Sequence, residues 1–139
     1  DAAFAPSSSK LATLEAQGRV VVWNEDGSEE RVLGTATGAE SVAVSPDGRF
    51  VLASARERTV VWRAESGGRV GRLPGGTSEL TSRNLSGDSE YVAFVREDGG
   101  VGLYALSVET LLEIAREQAT RPLTVADMER FGLPVPEGW

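Results

Sequence analysis

Val44-Ser45-Pro46-Asp47-Gly48-Arg49-Phe50-Val51-Leu52-Ala53-Ser54, followed shortly by Thr59-Val60-Val61-Trp62, is the stretch that decides the fold. Pro46 presets φ for the second position of a turn, Asp47 can bond the backbone ahead of it, and Gly48 accepts a positive φ. The β-branched and aromatic runs on either side read as inner strands. Upstream, Ser41-Val42-Ala43-Val44 alternates small or polar with apolar residues, as a half-buried strand does. Downstream, Arg69-Val70-Gly71-Arg72-Leu73 reads as an exposed outer strand whose arginines discourage edge-to-edge pairing. The unit is therefore four short strands in about forty residues.

The same unit occurs on both sides. Phe4-Ala5-Pro6-Ser7 leads through Lys10-Leu11-Ala12-Thr13 to Val20-Val21-Val22-Trp23. Leu85-Ser86-Gly87-Asp88 leads through Tyr91-Val92-Ala93-Phe94 to Val101-Gly102-Leu103-Tyr104. The aromatics Trp23, Trp62 and Tyr104 lie 39 and 42 apart, and Phe4, Val44 and Leu85 lie 40 and 41 apart. Two markers keeping one period make a repeat.

Val44-Ser45-Pro46-Asp47-Gly48-Arg49-Phe50 and Thr59-Val60-Val61-Trp62 resemble the core of WD repeats, especially bacterial ones. The resemblance covers residues 1 to about 106. It implies an all-β chain of about three four-stranded antiparallel β-propeller blades, in units of about 1–38, 39–78 and 79–106, forming an incomplete ring. The family's Gly-His dipeptide is missing, with Gly38-Ala39 and Gly75-Gly76 near its place. Its Trp-Asp ending is replaced by Trp23-Asn24, Trp62-Arg63 and Tyr104-Ala105. The His–Ser/Thr–Trp–Asp network that braces many such blades cannot form.

Residues 107–139 change character. Val108, Leu111, Leu112 and Ala115 share one helical face, with Ser107 as a candidate N-cap and Glu109 in the favourable first turn. Pro122 stops continuation. Thr124-Val125-Ala126-Asp127 reads like a capping box opening a second short helix that ends near Gly132. This helical tail resembles one that follows the final blade of bacterial WD-repeat signalling proteins carrying STAND-type NTPase, kinase or caspase-like protease domains. The resemblance implies that Trp139 lies near the natural C-terminus. Asp1-Ala2-Ala3-Phe4 opens inside the repeat pattern without Met, so the natural N-terminus is expected elsewhere.

Composition narrows function. Cys and His are both absent, which removes thiol nucleophiles, Ser-His-Asp triads and the commonest metal ligands. A net charge of −7 disfavours nucleic acid and anionic membrane surfaces as partners. The apolar runs are too short to cross a bilayer, and the cytoplasm is the expected compartment. Gly67-Gly68, Gly75-Gly76 and Gly99-Gly100 lack the strand-to-helix context of a phosphate loop. Asp26-Gly27 reads as a hairpin turn, Glu29-Glu30 as solvated loop charge, and Trp23 and Trp62 as core.

No catalytic, cofactor or metal residue is expected. The expected function is a non-catalytic sensor or scaffold that binds protein, with the N-terminal remainder of the same propeller as a second partner. A regulatory propeller gating an upstream protease or NTPase, and a module completing a ring between chains, are the alternatives. Rim loops at residues 34–40, 56–58 and 75–79 would present side chains to the partner. Arg56, Arg58 and Glu79 are the candidate contacts, the arginines through charge-assisted pairs with acidic groups.

Overall fold

A computed structural model of the chain describes residues 1–74, 79–95 and 99–118. The first sheet runs β1 (Ala2–Phe4), β2 (Leu11–Leu14), β3 (Arg19–Trp23) and β4 (Glu29–Thr35) in that order, all antiparallel. The second repeats the order with β5 (Ser41–Val44), β6 (Phe50–Ala55), β7 (Arg58–Arg63) and β8 (Arg69–Pro74). The third contains β9 (Tyr91–Val95) and β10 (Val101–Ala105). These sheets fall in one compact unit, Asp1–Val108.

Among the described residues, the third sheet has two strands rather than four. Where its inner strand would run, Leu85 makes one isolated bridge to Val92. A single 3-10 turn, Ser82–Asn84, interrupts the chain just before it, with Thr81 as its cap. The Asn84 side chain accepts the Thr81 N–H at 3.0 Å and donates to the Ala93 carbonyl at 3.2 Å, standing in for a ladder bond.

Strand periodicity places two apolar layers. On β6, Val51 and Ala53 face the first sheet, while Phe50 and Leu52 face the third. On β7, Val60 and Trp62 join the first layer and Val61 the second. The first layer is completed by Ala12, Leu14, Val20 and Val22, the second by Leu80, Leu85, Val92 and Phe94. The middle sheet is thus buried on both faces, which is why its strands are continuous apolar runs.

One turn is built twice. Ser45 Oγ donates to Asp47 Oδ1 at 2.7 Å and accepts the Phe50 N–H at 2.9 Å, while Asp47 Oδ1 takes the Arg49 N–H at 3.0 Å. In the third sheet Ser86 bonds Asp88, the Glu90 N–H meets Asp88 Oδ1 at 3.0 Å, and the Tyr91 N–H meets Ser86 Oγ at 2.9 Å. Gly48 and Ser89 occupy the same position at φ 77 and φ 64. The left-handed region costs a non-glycine residue about 1–2 kcal/mol. Here the Ser89 hydroxyl accepts the Asp47 N–H at 3.2 Å, linking two sheets. At 48 a Cβ would lie 2.3 Å from Ser8 Oγ of the first sheet, so a side chain there would require Ser8 to turn away.

Burial pushes the Asp47 carboxyl up, but bonds from the Arg49 N–H, the Ser45 hydroxyl and the Arg49 guanidinium outweigh it and hold it below the ordinary value of 3.8. The Asp88 carboxyl is likewise lowered, by the Ser86 hydroxyl and the Glu90 N–H. Their stabilisation is present above the unfolded carboxyl value and lost as pH falls through the lower folded value. Melting temperature should therefore fall as pH drops below about 4, and Asp47→Asn should flatten that slope. An equal acid slope in the variant would count against this turn as a pH-sensitive element.

One charge reading is corrected. Glu29 and Glu30 lie on β4 rather than in a loop, and pair with Arg19 at 3.0 Å and with Lys10. Asp26-Gly27 does sit in a turn, with Gly27 at φ 81.

α1 (Val108–Gln118) lies almost wholly in a second unit beginning at Glu109. Val108, Leu111, Leu112 and Ala115, which share one face of it, are exposed, whereas Thr110 is buried. The Ser107 hydroxyl donates to Glu90 Oε2 at 3.0 Å. The expected second helix from Thr124 lies outside the described residues. No helix among the described residues is long and apolar enough to cross a membrane.

Candidate functional site

Two short connections form the rim beside the first and second sheets. Residues 36–40 join β4 to β5, and Arg56-Glu57 turns β6 into β7. The first connection is held by its backbone: the Ala36 N–H donates to the Gly18 carbonyl at 2.8 Å and the Glu40 N–H to the Ser54 carbonyl at 2.9 Å. Gly18, at φ 81, allows this approach, because a Cβ would fall 2.3 Å from the Ala36 oxygen.

Between the connections lies a groove of about 380 Å³ lined by Thr37, Gly38, Glu40, Ala55, Arg56, Glu57 and Arg58. Arg58 Nη2 donates to the Thr37 carbonyl at 2.7 Å, so this guanidinium spans the groove and fixes one wall to the other. Arg56 and Glu57 are exposed at the hairpin tip, and Glu40 is exposed on the opposite wall. Two arginines and two carboxylates in one groove suit a polar surface of mixed charge.

Of the residues picked out from sequence, Arg56 and Arg58 come together here. Glu79 does not line the groove. It is exposed and precedes Leu80, whose N–H donates to Ser41 Oγ at 3.0 Å. Residues 75–78 of the third rim loop lie outside the described residues.

A second niche, of about 130 Å³, is lined by Arg49, Arg63, Glu65 and Ser66. The Arg49 and Arg63 guanidiniums sit 5.5 and 5.7 Å from the centre of the Phe50 ring. Glu90, at 2.7 Å, and Asp47 hold Arg49 firmly protonated. Sequence reasoning passed over this pair. The signal was the strand register, which sets Phe50 opposite Arg63.

The two strand-ending tryptophans differ. Trp62 is buried between the first and second sheets, while Trp23 is half-buried with its Nε1 donating to Thr13 Oγ1 at 2.8 Å. Among the described residues, no group of three or more Asp or Glu side chains is placed to hold a metal ion.

No protein-family model matches the sequence, and no curated protein matches it. Solved structures do match. The WD40 repeats of RRP9 superpose with a TM-score of 0.59 at 16% identity, over 76% of this chain and 34% of that one. The fold is that of WD-type propeller blades. Hydrazine synthase from Kuenenia stuttgartiensis is similar too, with a TM-score of 0.58 at 16% identity, over 76% of this chain and 32% of that one. The match thus spans about a third of each neighbour's length. The three sheets are blades, four-stranded in the first two and, among the described residues, two-stranded in the third. The groove lies where two successive blades meet at the rim.

Proposed function

We propose that this chain is a non-catalytic, protein-binding stretch of WD-repeat propeller, acting as a sensor or scaffold within a larger bacterial signalling protein of the cytoplasm. The observation that carries the reading is the rim groove. Its walls are fixed by Arg58 to Thr37, while Arg56, Glu57 and Glu40 stand exposed around it. Loops on a rigid β-scaffold hold such side chains at little entropic cost on binding. The mixed charge favours a partner segment with both acidic and basic groups over a uniformly charged polymer.

The test exchanges charge at the hairpin tip. Arg56→Glu combined with Glu57→Arg keeps net charge and alters exposed positions only, so stability should change by less than about 0.5 kcal/mol. Affinity purification of the parent protein should yield a defined protein partner with the native rim and lose it with the exchanged rim. An identical set of captured proteins from both would refute the rim as the binding surface.

A further inference from the structure

At the end of the second blade opposite the rim groove, the hairpin between β7 and β8 gathers arginines from two blades. Arg63 ends β7 and Arg69 opens β8. Arg31 comes from β4 of the first blade. Its side chain lies against Gly67 at the hairpin tip, so close that a Cβ on that glycine would fall 2.8 Å from Arg31 Cδ. Arg49 reaches the same place from the turn before β6, and with Arg63, Glu65 and Ser66 it lines the niche of about 130 Å³.

These cations are held in different ways. Arg49 is paired with Asp47 and Glu90. Arg31, Arg63 and Arg69 are exposed and have no carboxylate partner among the described residues. Lys10 and Arg19 do find glutamates, as a chain with 21 acidic and 14 basic residues readily allows. The Arg63 guanidinium sits 5.7 Å from the centre of the Phe50 ring. A guanidinium over a ring face keeps its in-plane N–H donors free for a carboxylate. The Ser66 hydroxyl is exposed and accepts the Gly68 N–H at 3.2 Å, which leaves its own O–H to donate. The turn beneath these groups is closed by its backbone. The Arg63 N–H donates to the Gly68 carbonyl and the Gly67 N–H to the Arg63 carbonyl, both at 2.9 Å.

We infer that this hairpin is a second docking surface, separate from the rim groove, and that it takes a carboxylate-bearing segment of a protein partner. Arg63 and Arg31 supply charge-assisted N–H donors, and Ser66 adds a hydroxyl. Charge complementarity selects the occupant. Glu65 is exposed in the same niche, and Asp47 and Glu90 stand beside Arg49, so the positive charge is confined to a small area. A nucleic acid needs its phosphates matched along its length and would meet these carboxylates. A short acidic segment fits the area that the free guanidiniums cover. The surface exists only where the first two blades meet, because Arg31 belongs to one and Arg63 and Arg69 to the other.

The test titrates the full chain with a short glutamate-rich peptide, and with the same peptide carrying glutamine at every glutamate, while following the arginine Nε–H signals by NMR. The Arg31, Arg63 and Arg69 signals should move together along one saturable curve, and those of Arg56 and Arg58 should stay still. The glutamine peptide should move none. Arg63→Gln and Arg31→Gln should each weaken binding by about tenfold. Arg31→Gln leaves the contact with Phe50 intact and should keep the native melting temperature, which separates binding from packing. A glutamate peptide that moves every exposed arginine alike, or none, would overturn the inference. So would a single-stranded DNA oligonucleotide that binds more tightly than the peptide. The Arg56 and Glu57 exchange should leave the titration unchanged, and loss of peptide binding in that variant would move the carboxylate site to the rim. Partner capture at the rim and peptide binding at the hairpin can therefore fail independently.

Discussion

Phe50→Ala should destabilise the chain by about 3–5 kcal/mol, lowering the thermal midpoint by on the order of 10–20 °C. Phe50 is fully buried on β6, facing the layer formed with Leu85, Val92 and Phe94 of the third blade. Removing the ring leaves a cavity between two sheets that are themselves held by ladders, so collapse around it is limited. The ring also underlies the Arg49 and Arg63 guanidiniums, each such contact being worth about 0.5–1 kcal/mol at an exposed site. Val95→Ala is the matched control, since Val95 is exposed and the change should stay within about 0.5 kcal/mol. Urea unfolding of both variants gives the comparison. A loss below about 1 kcal/mol at Phe50 would mean that the second and third blades do not share a packed layer.

The middle blade was legible because its local chemistry and its burial agree. Pro46-Asp47-Gly48 makes the turn it suggests, and β6 and β7 are apolar along their length because both faces are covered. The third blade was only half legible. Its inner strand follows Thr81 and Asn84, whose side chains bond the local backbone and favour a capped turn over a ladder. The outer strand β4 hid behind Glu29 and Glu30, because an edge strand tolerates charges and these find Arg19 and Lys10. The links between blades left no trace in the sequence. Ser7 to Pro46 joins two backbone groups about forty residues apart, and any residue can supply an N–H or a carbonyl, while at Asp1 a side-chain carboxylate takes the backbone N–H of Val42.

The site divides in the same way. Arg56 and Arg58 were visible together because a two-strand hairpin brings them within one turn. That Arg58 reaches Thr37 depends on the packing of a neighbouring blade. Glu79 was placed by loop order alone and stands apart from the groove. The first helix of the tail was legible from periodicity, with Leu111 and Leu112 on one exposed face and Thr110 buried. Amphipathic spacing alone does not say which face of a short helix finds a cover.

Amide hydrogen exchange on the dilute full chain carries the second large effect and tests the stacking order of the blades directly. β6 is bonded on both sides within its sheet and covered on both faces, with Val51 and Leu52 fully buried. β10 has one partner strand among the described residues and an exposed flank at Val101 and Leu103. Exchange proceeds through the cheapest opening that frees an amide. The β6 amides should therefore exchange on the order of a thousandfold more slowly than those of β10. Equal protection of β6 and β10, or a β6 strand that exchanges within the same time as the β10 edge, would contradict a middle blade enclosed by its two neighbours.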